Sequence, residues 1–124
     1  MTRTFKLLRT CMFAFCALAL GISAASAHSA LKRAEPSANS THKRAPAEVK
    51  LHFSEQLEPA YSSVTVEDDA GARVDGGDSR VDPSDPFLLR ASLATLQPGT
   101  YSVIWRVLSV DSHVTEGRFT FKIE

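Results

Sequence analysis

Two stretches near opposite ends of the chain carry residues that could bind one metal ion together. Ala25-Ser26-Ala27 has the small residues of a signal-peptidase site, and cleavage after Ala27 would make His28 the first residue of the mature protein. A first-residue histidine offers both its free α-amine and its imidazole to one ion. Asp111-Ser112-His113 offers a carboxylate and a second imidazole two residues apart. Three nitrogens and one oxygen form a tetragonal donor set that favours Cu(II) among the divalent first-row ions.

The segment before His28 has the parts of a secretory signal. Arg3, Lys6 and Arg9 give it a positive start, and residues 10–22 form an apolar stretch. This stretch is shorter than the roughly 20 residues that a membrane-spanning helix needs. An uncleaved anchor is the alternative interpretation. The sequence predicts a cleaved signal over residues 1–27, one domain over 28–124, and a periplasmic location.

Removal of the signal changes the composition of the chain. The cysteines Cys11 and Cys16 and the methionines Met1 and Met12 all lie in the signal, so the 97 residues left of 124 contain no sulfur. We expect no disulfide, and a hydrophobic core must stabilise the domain. We also expect no Met-based Cu(I) site, because Cu(I) prefers thiolate and thioether ligands.

The charge balance excludes one class of partner. The chain has 14 basic and 14 acidic residues; the signal contains three of the basic ones and none of the acidic ones, so the mature net charge is 11 minus 14, or −3. A negative domain without basic clusters is not expected to bind nucleic acid.

The hydrophobic pattern of the mature chain has a period of two. Apolar and polar residues alternate from Val49, from Ser63, from Tyr101 and from Arg118 to Ile123, with Gly, Pro and Asp turns between these runs. Short strands and no long 3.6-residue period predict an all-β fold, a small antiparallel sandwich or barrel. Residues 28–46 are expected to form a mostly polar arm, and residues 111–117 the loop between the last two strands.

The predicted strands suggest how the metal ligands could meet. Asp111 and His113 are two residues apart and would point to the same side of an extended chain. Each feature has an ordinary alternative: a single Asp-x-His on a loop is weak evidence for metal, and the position of His28 could be an accident of cleavage. His42 and His52 are expected to be surface residues, and Tyr101, Trp105, Phe119 and Phe121 to be core.

At these residues the chain resembles the CopC/PcoC group of periplasmic copper-resistance proteins. The matching stretches cover nearly all of the mature chain in the same order. They are His28 with Leu31 and Pro36; Leu51-His52-Phe53-Ser54-Glu55 with Glu58-Pro59; Leu96-Gln97-Pro98-Gly99-Thr100-Tyr101; Trp105-Arg106-Val107-Leu108-Ser109; and Asp111-Ser112-His113 with Gly117, Phe119 and Phe121.

The resemblance implies a fold and a metal site. The fold is a seven-stranded Greek-key β-barrel or sandwich of cupredoxin or immunoglobulin-like shape. The metal is one Cu(II), bound by His28, Asp111 and His113, with Glu55 beside the site or weakly on the metal. Many members have Gly where Ser112 stands, and some have a Met-rich Cu(I) site that this chain lacks, so we expect a member that binds Cu(II) alone.

Three functions follow from these observations. The first is a periplasmic copper-binding protein that acts in copper resistance, homeostasis or delivery to a membrane copper transporter. It would be a monomer without enzyme activity, and its copper affinity would fall below about pH 6 because the amine and imidazole nitrogens must lose protons to bind. The second is a mono-copper redox enzyme with a histidine-brace-like site. The third is an immunoglobulin-like interaction module with no metal.

Overall fold

The computed structural model describes residues 30–124, which form eight strands and one 3-10 turn of helix. The strands are β1 (Leu31–Glu35), β2 (Thr41–His42), β3 (Glu48–Phe53), β4 (Ser63–Glu67), β5 (Arg80–Asp82), β6 (Asp85–Ser92), β7 (Gly99–Leu108) and β8 (Val114–Ile123); the helical turn is Pro59–Tyr61. His28 and the predicted signal lie outside the described residues. No helix within residues 30–124 is long and apolar enough to cross a membrane.

The strands form two four-stranded sheets packed face to face, which confirms the predicted all-β sandwich. The first sheet has the order β1-β3-β6-β5 and the second the order β2-β8-β7-β4. All pairs are antiparallel except β2 with β8, which is parallel. The described residues have one strand more than the seven expected, because short strands such as the two-residue β2 are formed by pairing rather than by a sequence pattern.

The core lies between the two sheets and uses the alternate positions that the period-two pattern predicts. Val49, Leu51 and Phe53 of β3 are buried, as are Val64 and Val66 of β4. From β7 and β8 the core takes the following buried residues: Tyr101, Val103, Val107, Phe121 and Ile123. Each buried aliphatic or aromatic side chain contributes about 1.5–3 kcal/mol, so this core can hold a domain without disulfides.

The predicted polar arm is partly a strand. Residues Leu31 and Ala34 of β1 pack against the core, and β1 pairs with β3 through four registered residue pairs. Leu31 to Glu35 has too few apolar residues to show a clear alternation, and the pairing with β3 supplies the order. This strand matters for the site because it fixes the chain three residues after His28.

The loop between the last two strands is shorter than predicted. β8 begins at Val114 rather than near Arg118, so the loop covers residues 109–113 instead of 111–117. Gly117, predicted to end this loop, lies inside β8 opposite Trp105. A Cβ at residue 117 would lie 2.3 Å from Cζ2 of the Trp105 indole, so glycine is needed here for packing and not for a turn.

Candidate metal site

The loop that carries Asp111 and His113 is a tight turn closed by its own backbone. The amide of Ser109 donates to the carbonyl of His113 at 3.0 Å, and the amide of Ser112 donates to the carbonyl of Ser109 at 2.9 Å. Ser112 has a φ of 72°, in the left-handed region that favours glycine. Asp111 and His113 therefore converge because the chain turns back, and the expected extended conformation is wrong.

The two side chains face each other at the surface. Oδ2 of Asp111 lies 3.2 Å from Nδ1 of His113, and the side chains are 36% and 48% exposed. Ligand atoms of a first-row ion lie about 2.0–2.1 Å from the metal, so two neighbouring ligands at a right angle are about 2.9 Å apart. The observed spacing fits two adjacent ligands of one ion, and the exposure leaves the ion accessible.

A buried hydroxyl holds the carboxylate of Asp111 from the protein side. Ser109 has no exposed surface, and its Oγ donates a hydrogen bond to Oδ1 of Asp111. This bond, followed by the hydrogen bonds and charge of His113, holds the pKa of Asp111 below its usual range even though burial opposes the shift. The carboxylate is ionised at neutral pH, which is the form that binds a cation.

The start of the described chain lies beside the same region. The amide of Ala30 donates to Oγ of Ser54 at 2.8 Å, and the amide of Ser54 donates to the carbonyl of Ala30 at 2.9 Å. Two residues later, the carbonyl of Gln56 accepts from the amide of Val110 at 3.0 Å. The short segment 54–56 thus connects the backbone at Ala30 to the backbone next to Asp111.

Glu55 lies in the middle of this connecting segment. It is half-buried, between the residue bonded to Ala30 and the residue bonded to Val110. Residues 30–124 contain no group of three or more His, Cys, Asp or Glu side chains placed to hold a metal ion. Within this part of the chain Asp111 and His113 are a pair of ligands, and Glu55 does not complete them.

The other two described histidines have different neighbours. Nε2 of His52 lies 3.0 Å from a guanidinium nitrogen of Arg33 on the adjacent strand. Nε2 of His42 lies 2.7 Å from Oγ of Ser40, and the residue is half-buried in β2 rather than on an exposed loop. Neither forms part of a metal-ligand group among the described residues.

Trp105 is the single tryptophan of the chain and lies on β7. This strand leads into the loop of residues 109–113, called the site loop below. Its indole packs edge-on against the ring of Phe53, with ring centroids 5.2 Å apart. Phe53 in turn pairs with Leu31 at the start of β1. The indole therefore links the β7–β8 hairpin, whose loop carries Asp111 and His113, through Phe53 to the first strand. Its fluorescence can report on this region.

Three known proteins and one family model resemble the chain. Residues 31–124 match the model of the CopC domain. The chain is 34% identical over 99 residues to Protein YobA of Escherichia coli, covering 79% of this chain and 80% of that protein. It is 35% identical over 111 residues to copper resistance protein C of Pseudomonas syringae pathovar tomato, covering 81% and 83%.

The fold comparison agrees with the sequence comparison. The crystal structure of PcoC, a methionine-rich copper resistance protein from Escherichia coli, superposes with a TM-score of 0.67 at 31% identity. The match covers 79% of this chain and 100% of that chain. The family match extends over the strands, the site loop and the connecting segment, and it confirms the resemblance found in the sequence. The chain belongs to the CopC family.

Proposed function

We propose that this protein binds one Cu(II) ion through the α-amine and imidazole of His28, the carboxylate of Asp111 and the imidazole of His113. The observation that carries the proposal is the Asp111–His113 pair, with 3.2 Å between its ligand atoms, beside the segment that anchors Ala30. Asp111 and His113 supply two metal ligands, and a complete site needs further ligands from elsewhere in the chain. We propose that His28, two residues before Ala30, supplies them through its α-amine and its imidazole.

Copper in its divalent state suits this set of donors. Three nitrogens and a carboxylate oxygen favour Cu(II), which binds most strongly of the divalent first-row ions. The ionised carboxylate of Asp111 supplies one negative charge to the site, because its hydrogen bond from Ser109 keeps its pKa low. When bound, the ion is the cargo of the protein, and His28, Asp111 and His113 hold it at the surface.

The site exists only in the processed protein, which links it to export. The α-amine of His28 is an amide nitrogen until the chain is cut after Ala27, so the precursor lacks one ligand. We therefore place the working protein in the periplasm. We propose that it acts there as a monomer. The names of two relatives, copper resistance protein C and the copper resistance protein PcoC, support a role in copper resistance or homeostasis.

Transfer of copper fits the exposure of the ligands. His113 and Asp111 are 48% and 36% exposed, so an incoming ligand from another protein can approach the ion without unfolding the loop. We propose delivery to a membrane copper transporter rather than catalysis, because Asp111 would add a protein ligand where a copper redox enzyme would keep a position open for dioxygen.

The free amine of the first residue tests the proposal directly. We compare a protein that begins at His28 with the same protein acetylated on its α-amine, and measure Cu(II) affinity by competition titration. Acetylation converts the amine into an amide and supplies no other amine, so we expect the affinity to fall at least about 100-fold. Quenching of Trp105 fluorescence follows binding, and electron paramagnetic resonance reports the number of nitrogen ligands.

Three variants serve with this comparison. Asp111→Ala and His113→Ala should weaken Cu(II) binding, whereas His52→Ala, which removes the histidine paired with Arg33, should leave it unchanged. Equal affinity of the acetylated and the free-amine proteins would overturn the role of the His28 amine. Undiminished binding by His113→Ala would overturn the loop site.

A further inference from the structure

We infer that Ser109 is a positioning residue that orients the carboxylate of Asp111 for the metal. The inference rests on the proposed Cu(II) site. Ser109 has no exposed surface and follows the last residue of β7, so its position is fixed by the second sheet. A buried hydroxyl needs a hydrogen-bond partner. Here the partner is Oδ1 of the surface carboxylate that we assign to the metal.

All three polar groups of Ser109 are used inside the site loop. Its amide donates to the carbonyl of His113 at 3.0 Å, and its carbonyl accepts from the amide of Ser112 at 2.9 Å. Its Oγ lies 3.2 Å from the carbonyl of His113 and donates to Oδ1 of Asp111. The hydroxyl has one proton, and the charged carboxylate is the stronger acceptor. One residue therefore fixes the backbone of His113 and the side chain of Asp111 together.

The hydrogen bond from Ser109 gives the two carboxylate oxygens of Asp111 different neighbours. Oδ1 faces the protein and is held by Ser109, while Oδ2 faces Nδ1 of His113 at 3.2 Å. Rotation of the carboxylate would break the bond to Ser109, so Oδ2 stays beside the imidazole. Ser109 thereby favours a carboxylate that binds the ion through one oxygen, next to His113. Without the hydroxyl, Oδ1 would lose its buried partner and only the contacts with His113 would restrain the carboxylate, so rotation and binding through both oxygens would become easier.

Ser62 provides a matched control for a buried hydroxyl. It is 6% exposed, and its Oγ lies 3.2 Å from the amide and 3.4 Å from the carbonyl of Leu108. Leu108 immediately precedes Ser109 in the chain. Ser62→Ala thus removes a buried hydroxyl that contacts the end of the same strand without touching Asp111.

The experiment compares Cu(II) binding by Ser109→Ala, Ser62→Ala and the unmodified protein, each beginning at His28. Loss of a hydrogen bond to a metal ligand lowers affinity by about 10–100-fold, and we expect about tenfold for Ser109→Ala. We expect its copper-saturated paramagnetic resonance spectrum to change because the carboxylate is no longer fixed. Ser62→Ala should keep both the affinity and the spectrum.

A double-variant cycle with Asp111→Ala identifies the route of the effect. If Ser109 acts through Asp111, the Ser109→Ala change has no further effect once Asp111 is alanine. Additive losses would overturn the inference, as would an unchanged affinity and spectrum in Ser109→Ala while Asp111→Ala binds weakly. If Asp111→Ala binds copper normally, the proposed site itself is wrong and the inference is overturned with it.

A second pair of variants keeps the test valid if Ser109→Ala does not fold. Threonine and valine have nearly the same shape, and each adds a methyl group to the buried side chain of residue 109. They differ in that Ser109→Thr keeps the hydroxyl, whereas Ser109→Val has a second methyl group in its place. We expect the threonine protein to bind Cu(II) about tenfold more tightly than the valine protein. Equal affinities in this pair would overturn the role of the hydroxyl.

Discussion

Asp75 and Asp111 both have a pKa lowered by hydrogen bonds to the carboxylate, but the two side chains serve different purposes. The side chain of Asp75 is fully buried, and its oxygens accept hydrogen bonds from Arg73 and from the amides of Val66 and Gly77. The carboxylate of Asp111 accepts from the buried Ser109 on one side, faces His113 on the other, and is 36% exposed. The first arrangement fastens a loop, and the second leaves an oxygen available to an ion.

The buried carboxylate of Asp75 predicts how the fold responds to acid. Burial alone would raise the pKa of Asp75, but the hydrogen bonds from Arg73, Val66 and Gly77 and the charge of Arg73 outweigh it, and the pKa is lowered from 3.8. A lowered folded-state pKa contributes stability above the unfolded-state value, and this stability is lost as the pH falls through the folded-state value. We expect the free energy of unfolding to decrease below about pH 4.

Replacement of Asp75 by Asn isolates this contribution. Asp75→Asn should lose about 1–3 kcal/mol at pH 7, because it removes the charge that pairs with Arg73 and replaces one of two buried acceptor oxygens by an amide donor. As the pH falls below about 4 and on through the lowered folded-state pKa of Asp75, the difference from the unmodified protein should shrink, since the carboxyl becomes protonated first in the unfolded state and then in the folded state. Urea unfolding at several pH values measures both effects. The control is Asp69→Asn, an exposed aspartate of the same loop; a gap that stays constant with pH would contradict the assignment.

At the scale of the elements, the β7–β8 hairpin joins the core to the site. Its ten registered pairs bring Trp105 opposite Gly117 and place Val114 beside Leu108, directly after the site loop. The Trp105 indole fills the space over Gly117 and contacts Phe53 of the first sheet. Packing at this point therefore sets the position of the loop relative to β1 and β3.

Gly117→Ala tests this packing. The new Cβ would meet Trp105 atoms at 2.3 Å and 2.7 Å, so the indole must move. We expect a loss of about 1–3 kcal/mol in the free energy of unfolding and a shift in the fluorescence maximum of Trp105.

Gly77→Ala is the control for the Gly117 variant. Gly77 has a φ of 71° and no neighbour within 4 Å of an added Cβ. This variant should lose about 1–2 kcal/mol from backbone strain alone and keep the native emission maximum. If the spectra of both variants match that of the unmodified protein, the indole does not depend on Gly117.

The same elements show what a sequence pattern can and cannot predict. The alternation from Val49 and from Ser63 predicts β3 and β4 because one face of each strand is buried. The predicted start of β8 was wrong because glycine at residue 117 is required by Trp105 on the neighbouring strand. The residues next to Gly117 in the sequence do not indicate this contact. Asp111 and His113 were identified as neighbours from their spacing, but the role of Ser109 depends on hydrogen bonds of a turn that the spacing does not reveal.

At the scale of the whole molecule, the proposed cleavage after Ala27 and the composition of the remaining chain together predict which copper state the protein would hold. The sulfur atoms of the sequence belong to Met1, Cys11, Met12 and Cys16, all ahead of the proposed first residue. PcoC, a relative of the same fold, is by contrast a methionine-rich protein. Cu(I) prefers thioether and thiolate ligands. A chain that begins at the proposed first residue, His28, would offer it only imidazole, amine and oxygen donors.

We expect reduction to release the metal. Addition of ascorbate to the Cu(II)-loaded protein, in the presence of a Cu(I)-specific chelator, should transfer all copper to the chelator as Cu(I) forms. Trp105 fluorescence should recover to the metal-free level in the same time, because Cu(II) no longer quenches the indole. A direct titration with Cu(I) should find no site that competes with the chelator.

A sulfur-bearing variant gives the matched comparison for this experiment. Val110 and Val114 are about half exposed and lie directly before Asp111 and directly after His113. A protein with Val110→Met and Val114→Met adds two thioethers beside the site while it keeps the proposed Cu(II) ligands. This variant should retain Cu(I) against the chelator longer than the unmodified protein. Retention of Cu(I) by the unmodified protein itself would show that nitrogen and oxygen donors hold both oxidation states, and the assignment of a site for Cu(II) alone would then be wrong.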